Sequence, residues 1–164
     1  MDREQRLEFV RSHRTAIFGF NRKNDGPAMS AVYYVMDGND MLISTMEGRG
    51  KAKVVQRNPK VSLCVLDEHW PLTYLQVYGD ATIDATVDTD PEKVVNLLMR
   101  ILSMMAGNEM PESVREQTRQ MALKERRVQL RVRPYATFES PPRHVYSAED
   151  VADLTHDLGQ HLPW

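Results

Sequence analysis

The chain has 164 residues, 41% of them apolar, which is enough for one real core and too few for two comfortable domains. Its 21 basic and 23 acidic residues leave a net charge of −2, so no global positive field holds it on nucleic acid or an anionic membrane, and anion binding must be local. A single cysteine, Cys64, excludes a disulfide framework and a zinc-ligand pattern, and no run of about eighteen apolar residues spans a bilayer. The opening Met1-Asp2-Arg3-Glu4-Gln5-Arg6 lacks a signal-peptide core, so a cytoplasmic location is expected.

Leu7, Phe9 and Val10 give the first dozen residues a helical apolar stripe, and 15–20 follow with the aromatic and β-branched content of a strand. Asn24-Asp25-Gly26 marks a turn, 27–36 reads as a second strand, and Asp37-Gly38-Asn39-Asp40 is a hairpin signal leading into a third at 41–45. Residues 52–57 suit a short helix stopped by Asn58-Pro59. Lys60–Asp67 is a nearly continuous apolar run, which predicts a strand buried on both faces with Cys64 as a small buried hydrophobe. After the loop at His69-Trp70-Pro71, residues 75–83 alternate like a strand in which Gly79 marks a bulge or a close backbone approach.

Asp90-Pro91 opens a helix with a broad apolar face through Val94, Leu98 and Met105, ended by Gly107-Asn108 and followed by a more polar helix near 112–124. Residues 126–134 alternate cationic with apolar side chains, the pattern of a strand wet on one face and continuing to Glu139, and it closes a barrel. Residues 1–140 therefore form one domain, and 141–164 a tail that docks on it or on a second subunit, with a weakly amphipathic stretch from 147 to 158. Hairpin-linked strands interrupted by helices predict a mainly β or α+β fold, an antiparallel barrel with α-helices at its ends.

The segment Glu47-Gly48-Arg49-Gly50-Lys51-Ala52-Lys53 carries the chemistry. It places Arg49, Lys51 and Lys53 at the start of a helix, where the backbone dipole is already positive and each cation is disfavoured by roughly 0.3–1 kcal/mol. An anion compensates that repulsion, and a phosphate suits it: arginine grips it bidentately, lysine adds a point charge, and first-turn N–H groups add donors. Gly48 and Gly50 permit close approach and positive φ. The alternative is a solvated charged loop. The five histidines are scattered with no metal-ligand spacing, the ten methionines suit core and interface gap filling, and Trp70 either roofs a flat ligand or caps the core.

The order of elements, Asp37-Gly38, the Ser44 strand, Arg49-x-Lys51-x-Lys53, Arg57-Asn58-Pro59 and Arg126-Arg127-Val128 together resemble the split-barrel flavin and deazaflavin oxidoreductases related to pyridoxamine 5′-phosphate oxidase. Within that superfamily the chain is most similar to the actinobacterial reductases of the B class that depend on coenzyme F-420, an 8-hydroxy-5-deazaflavin. The resemblance covers about residues 5–138. It implies a homodimer with the coenzyme in a groove at the subunit interface and a small-molecule acceptor. Arg49 and Lys51 would hold the phosphate, and Ser44 and Thr45 would line the ribityl chain. Lys53 would reach the phosphate or the acidic oligoglutamate tail.

By the same resemblance, Met29, Ser30, Ala31 and Val32 would lie along the ring system, and Tyr74, Val77, Tyr78 and Arg126 or Arg127 would be offered across the dimer. No catalytic side chain and no metal is implied, since hydride chemistry belongs to the coenzyme. Tyr33, Tyr34, Tyr78 and His69 are candidate proton donors. The C-terminal Trp-Arg-Leu segment of pyridoxamine phosphate oxidases is missing, which argues against that oxidase activity. FMN is the alternative cofactor, and a carrier of a flavin or tetrapyrrole, with His144 as a haem ligand, is the alternative to an enzyme.

Overall fold

The computed structural model describes residues 1–69, 73–139 and 159–164. Helix α1 (Arg3–Ser12) starts at a capping box in which Asp2 and Gln5 bond each other's backbone, and it buries Leu7 and Val10. Strands β1 (Thr15–Phe20), β2 (Ala28–Asp37) and β3 (Asp40–Met46) follow. The β2–β3 turn is made by Gly38, which adopts the positive φ that the hairpin requires. Helix α2 (Gly50–Arg57) leads to β4 (Lys60–Asp67) and the long β5 (Thr73–Thr86). Helix α3 (Pro91–Ala106) is capped by Asp90 and terminated by left-handed Gly107. A 3-10 turn and α4 (Arg115–Lys124) precede β6 (Arg127–Glu139), and β7 (Gln160–Pro163) comes last.

All ladders are antiparallel, in the order β3-β2-β1-β4-β5-β6-β7, and β3 also pairs with β6, which closes the first six strands into a barrel. Its interior holds Phe18, Tyr34, Met41, Ile43, Leu63, Val65, Leu75, Val77, Leu130 and Val132. The Tyr34 hydroxyl donates to the Val10 carbonyl at 2.6 Å, so the buried phenol has a partner, and burial raises its pKa. At Gly79 the β5–β6 register shifts and the strands come so close that an added Cβ would stand 2.5 Å from Val132 and 3.0 Å from the Arg133 carbonyl oxygen.

The structure corrects several expectations. β4 is not buried on both faces: Val61, Leu63 and Val65 point inward, while Ser62 and Cys64 are half-buried and Leu66 is exposed on the outer face. A run of apolar residues reads as a doubly buried strand, but here the outward half faces away from the core of its own chain. Helix α3 does not sit at a barrel end. It lies along the side, over Val35 and Leu42, with Leu97 and Ile101 between. Gly48 and Gly50 have no positive φ, so the conformational freedom expected of them is not used. Trp70, His144 and the 147–158 segment lie outside the described residues.

Candidate functional site

The barrel is split between β2 and β3. β2 pairs with β3 only over Tyr34–Asp37, opposite Asp40–Ile43, while the other edge of β3 pairs with β6 from Met41 to Met46, so that residues 44–46 continue along β6 without β2. Residues 28–33 of β2 therefore pair with β1 on one side and have no strand on the other among the described residues. Such an edge presents backbone N–H and C=O groups in a row, able to serve a flat heterocycle with polar edges. Along it Met29 and Ala31 are exposed on the outer face, while Ser30 and Val32 turn toward the barrel, Val32 being buried in its core.

Helix α2 stands at the mouth of the split. Ala52, Val54 and Val55 bury its inner side, and Asn58 followed by Pro59 stops it. Arg49 is its N-cap residue, no side chain caps it, and its first turn contains no acidic residue, so the N–H groups there are left for a ligand. The turn ahead of it is bolted in place: the Glu47 N–H donates to the Arg126 carbonyl at 2.9 Å, and the Arg126 guanidinium bonds Glu47 at 2.7 Å and Asp88 at 2.6 Å.

Lys51 is half-buried beside Arg49 and Arg127. Desolvation first, then the charge of those two arginines, hold its pKa below the ordinary lysine value. Neither Arg49 nor Lys51 has a carboxylate partner among the described residues, whereas Arg127 bonds Glu125 at 2.6 Å. Ser44 lies on the same face of the β3–β6 pair as Arg127, one pleat along, opposite Gln129, and its buried hydroxyl has no partner. A buried hydroxyl without a partner costs free energy, so this side chain is suited to an absent acceptor or donor. The Ser30 hydroxyl is likewise buried and unpartnered.

The remaining expected residues separate into groups. Lys53 stands apart from Arg49, Lys51 and Arg127 and, with Arg57, Arg22 and Lys23, lines a groove of about 480 Å³ on the other side of α2. Its one carboxylate, Asp25, is paired with Arg22 at 2.9 Å. Arg127 joins Lys51 within the same chain, while Arg126 is committed to Glu47 and Asp88. Val77 is wholly buried in a strand paired on both sides, with Leu63 and with Thr137, so it is closed to a ligand, and Thr45 is buried as well. Tyr74 and Tyr78 lie on the outer sheet face, across from Leu66 and Ser62. His69 is exposed and bonded to Asp67 at 2.6 Å.

Two features escaped the sequence reading. The groove cations Arg22, Lys23 and Arg57 are brought together only by the packing of the β1–β2 loop against α2, and the sole local hint is the i, i+4 spacing of Lys53 and Arg57. The second is Arg131, which bonds Asp37 at 2.8 Å, Asp40 at 2.9 Å and Asp84 at 3.2 Å and so ties the β2–β3 turn to β5.

A six-stranded antiparallel barrel opened between two strands, with a cationic helix start at the opening, defines a split-barrel protein of the flavin-binding type. The chain belongs to the pyridoxamine 5′-phosphate oxidase family, whose model matches residues 3–138. Among solved structures it is similar to a conserved hypothetical protein of Mycobacterium tuberculosis, with 19% identity, TM-score 0.71, and coverage of 91% of this chain and 94% of that one. It is also similar to an F420 reductase (22%, TM-score 0.56, 76% and 88%) and to a FAD-binding protein of Mesorhizobium loti (13%, TM-score 0.62, 84% and 92%). A comparison with curated protein sequences finds no match. Among the described residues no helix is long and apolar enough to cross a membrane.

Proposed function

We propose that the protein is a coenzyme F-420-dependent reductase that passes hydride to an enone, quinone or tetrapyrrole-like acceptor. The observation that carries this reading is the cluster of Arg49, Lys51 and Arg127 around the uncapped start of α2, two of its cations lacking any carboxylate among the described residues, with the unpartnered Ser44 hydroxyl beside it. A ribityl phosphate supplies the missing charge and acceptors there. Arg49 and Lys51 hold the phosphate with the first-turn N–H groups, Ser44 bonds the ribityl chain, and the open edge of β2 receives the ring.

FMN would use the same cluster, and the groove of Lys53, Arg57, Arg22 and Lys23 favours F-420 over it. FMN ends at its phosphate, whereas F-420 continues into an acidic oligoglutamate tail, and a groove with a surplus of cations fits such a tail. The F420 reductase among the similar structures agrees with this choice. When bound, the reduced coenzyme supplies the hydride, and solvent supplies the proton that completes reduction of the acceptor. The chain itself binds, orients the ring and shields it.

The outer face of β1, β2 and β4 supports a homodimer. Ile17, Tyr33 and Leu66 are 39%, 44% and 37% exposed on one face of the sheet, an apolar surface that a second copy covers. Tyr74 lies on the same face, across from Leu66, and is offered to the partner. The decisive experiment is turnover: reduced F-420 is mixed with the protein and a panel of quinones, enones and biliverdin. Oxidation faster than in buffer supports the enzyme, and binding without any acceleration leaves a carrier.

A further inference from the structure

Beside the open edge of β2, at the end of the outer face opposite Tyr33 and Leu66, four strands place Met29, Gly19, Ser62 and Tyr78 in one row. The middle of the row is bare. Gly19 has no side chain, and the Ser62 hydroxyl fills its place so closely that an added Cβ would stand 2.8 Å from it. The ends of the row are large: Met29, 74% exposed, on one side and Tyr78 on the other. The result is a flat-floored trough of about 310 Å³ whose walls include Phe20 and Tyr135.

Its walls are braced. The imidazole of His161, carried in by β7, lies against Tyr78 with ring centroids 5.5 Å apart. Lys60 sits over the Tyr135 ring at 4.3 Å and is neutralised by Asp80 at 2.8 Å, so the trough offers no free charge to attract an ion. An exposed methionine facing tyrosines across a bare floor is an adaptable surface for a flat apolar ring.

From this row we infer that the trough is a binding site for a planar, uncharged molecule of one or two fused rings, a benzoquinone or naphthoquinone in size and polarity. Ligand pockets run from about 300 to 1,000 Å³, and this one is at the small end, too small for a tetrapyrrole. The ring lies on Gly19 and Ser62 between Met29 and the tyrosines, and the Ser62 hydroxyl and Asn21 are within the lining to meet a carbonyl edge. Its role as the acceptor rests on the reductase reading, since Met29 belongs to the strand whose open edge receives the coenzyme; the binding site itself does not.

The test titrates 2-methyl-1,4-naphthoquinone into the isotope-labelled full chain without coenzyme and follows backbone amide shifts. Saturable binding of one quinone per chain, with shifts confined to residues 19–21, 27–29, 60–62 and 78, is the expected result. Ser62→Phe, which fills the trough, should bind at least about tenfold more weakly, whereas Ser62→Ala, which loses only the hydroxyl's bond to the carbonyl edge, should bind no more than a few fold more weakly, and both variants still quench F-420 fluorescence. Absence of saturable binding, shifts centred on Ile17 and Tyr33, or unchanged affinity in a folded Ser62→Phe overturns the site. If Ser62→Phe does not fold, the shift map of the natural chain decides. A second copy filling the trough would move the same amides with protein concentration and exclude the quinone, which also overturns it. Quinone binding without F-420 binding would sink the coenzyme and leave the trough standing; F-420 binding without quinone binding does the reverse.

Discussion

Lys51 is the residue on which charge and burial meet. It is held partly out of water beside two arginines, so its charged form is disfavoured in the free protein, and the anionic phosphate of a bound coenzyme would reverse that. Its folded pKa lies below the unfolded value, and the sign follows: the free protein gains stability as pH rises from the folded pKa toward the unfolded one, while the coenzyme loses its cation. Affinity for F-420 should therefore fall on the alkaline side, starting below the usual lysine range, as read by fluorescence titration across pH. Replacing Arg49 and Lys51 together with glutamine should weaken binding by a hundredfold or more, since each charge-assisted bond contributes about 1.5–3 kcal/mol. The thermal midpoint should hold or rise, because the same change removes repulsion. Ser44→Ala should weaken binding by several fold and leave stability unchanged or improved, its hydroxyl having no partner to lose.

The elements hold the site by two different means. At the β5–β6 crossing the approach is steric: Gly79→Ala puts a methyl against Val132 and a backbone carbonyl that cannot step aside, and should cost about 1–3 kcal/mol in urea unfolding. At the β2–β3 turn the tie is ionic. Burial alone would push the Asp84 carboxyl up, yet bonds from Lys93, Gln129 and Arg131 outweigh it and hold its pKa below the usual carboxylate range. The folded pKa being depressed, this stabilisation is present above the unfolded pKa of about 3.9 and is lost as pH falls through the folded one. Asp84→Asn should thus lower stability at neutral pH and flatten its decline in acid, which urea melts at a series of pH values will show.

How much of this was legible in the chain differs by kind of information. The succession of strands and helices along the chain, the Gly38 turn, the Asp90 cap and the Gly107 stop are local, written in residues next to one another, and they read out directly. The wet-faced alternation of 126–134 predicted a strand that closes the barrel, but not that its partner is β3. Arg49 and Lys51 stood out because cations at a helix start are locally anomalous. The Arg131 triad and the four-cation groove were invisible because their members lie far apart in sequence. The outward half of β4 misled for a related reason: periodicity reports apolar character but not whether the surface that covers it belongs to the same chain.

At the scale of the molecule, the barrel supplies a rigid frame, the split between β2 and β3 supplies a polar backbone edge, and α2 sets a positive mouth against it. The family is that of pyridoxamine 5′-phosphate oxidase, and the grip on an extended polyanion is what sets the proposed coenzyme apart from FMN. The proposed homodimer makes its own prediction: Ile17→Asp with Leu66→Asp should give a monomer by light scattering and weaken coenzyme binding, since the proposed groove would then lack its second wall. The most direct test of the whole account is a fluorescence titration of the purified protein with F-420 carrying a long glutamate tail, F-420 trimmed of its tail, and FMN. The account predicts tightest binding for the long-tailed coenzyme, weaker binding for the trimmed one, and weakest for FMN, with the tail preference abolished by Lys53→Gln and Arg57→Gln. Tighter binding of FMN, or a protein that purifies yellow with it, would contradict the account.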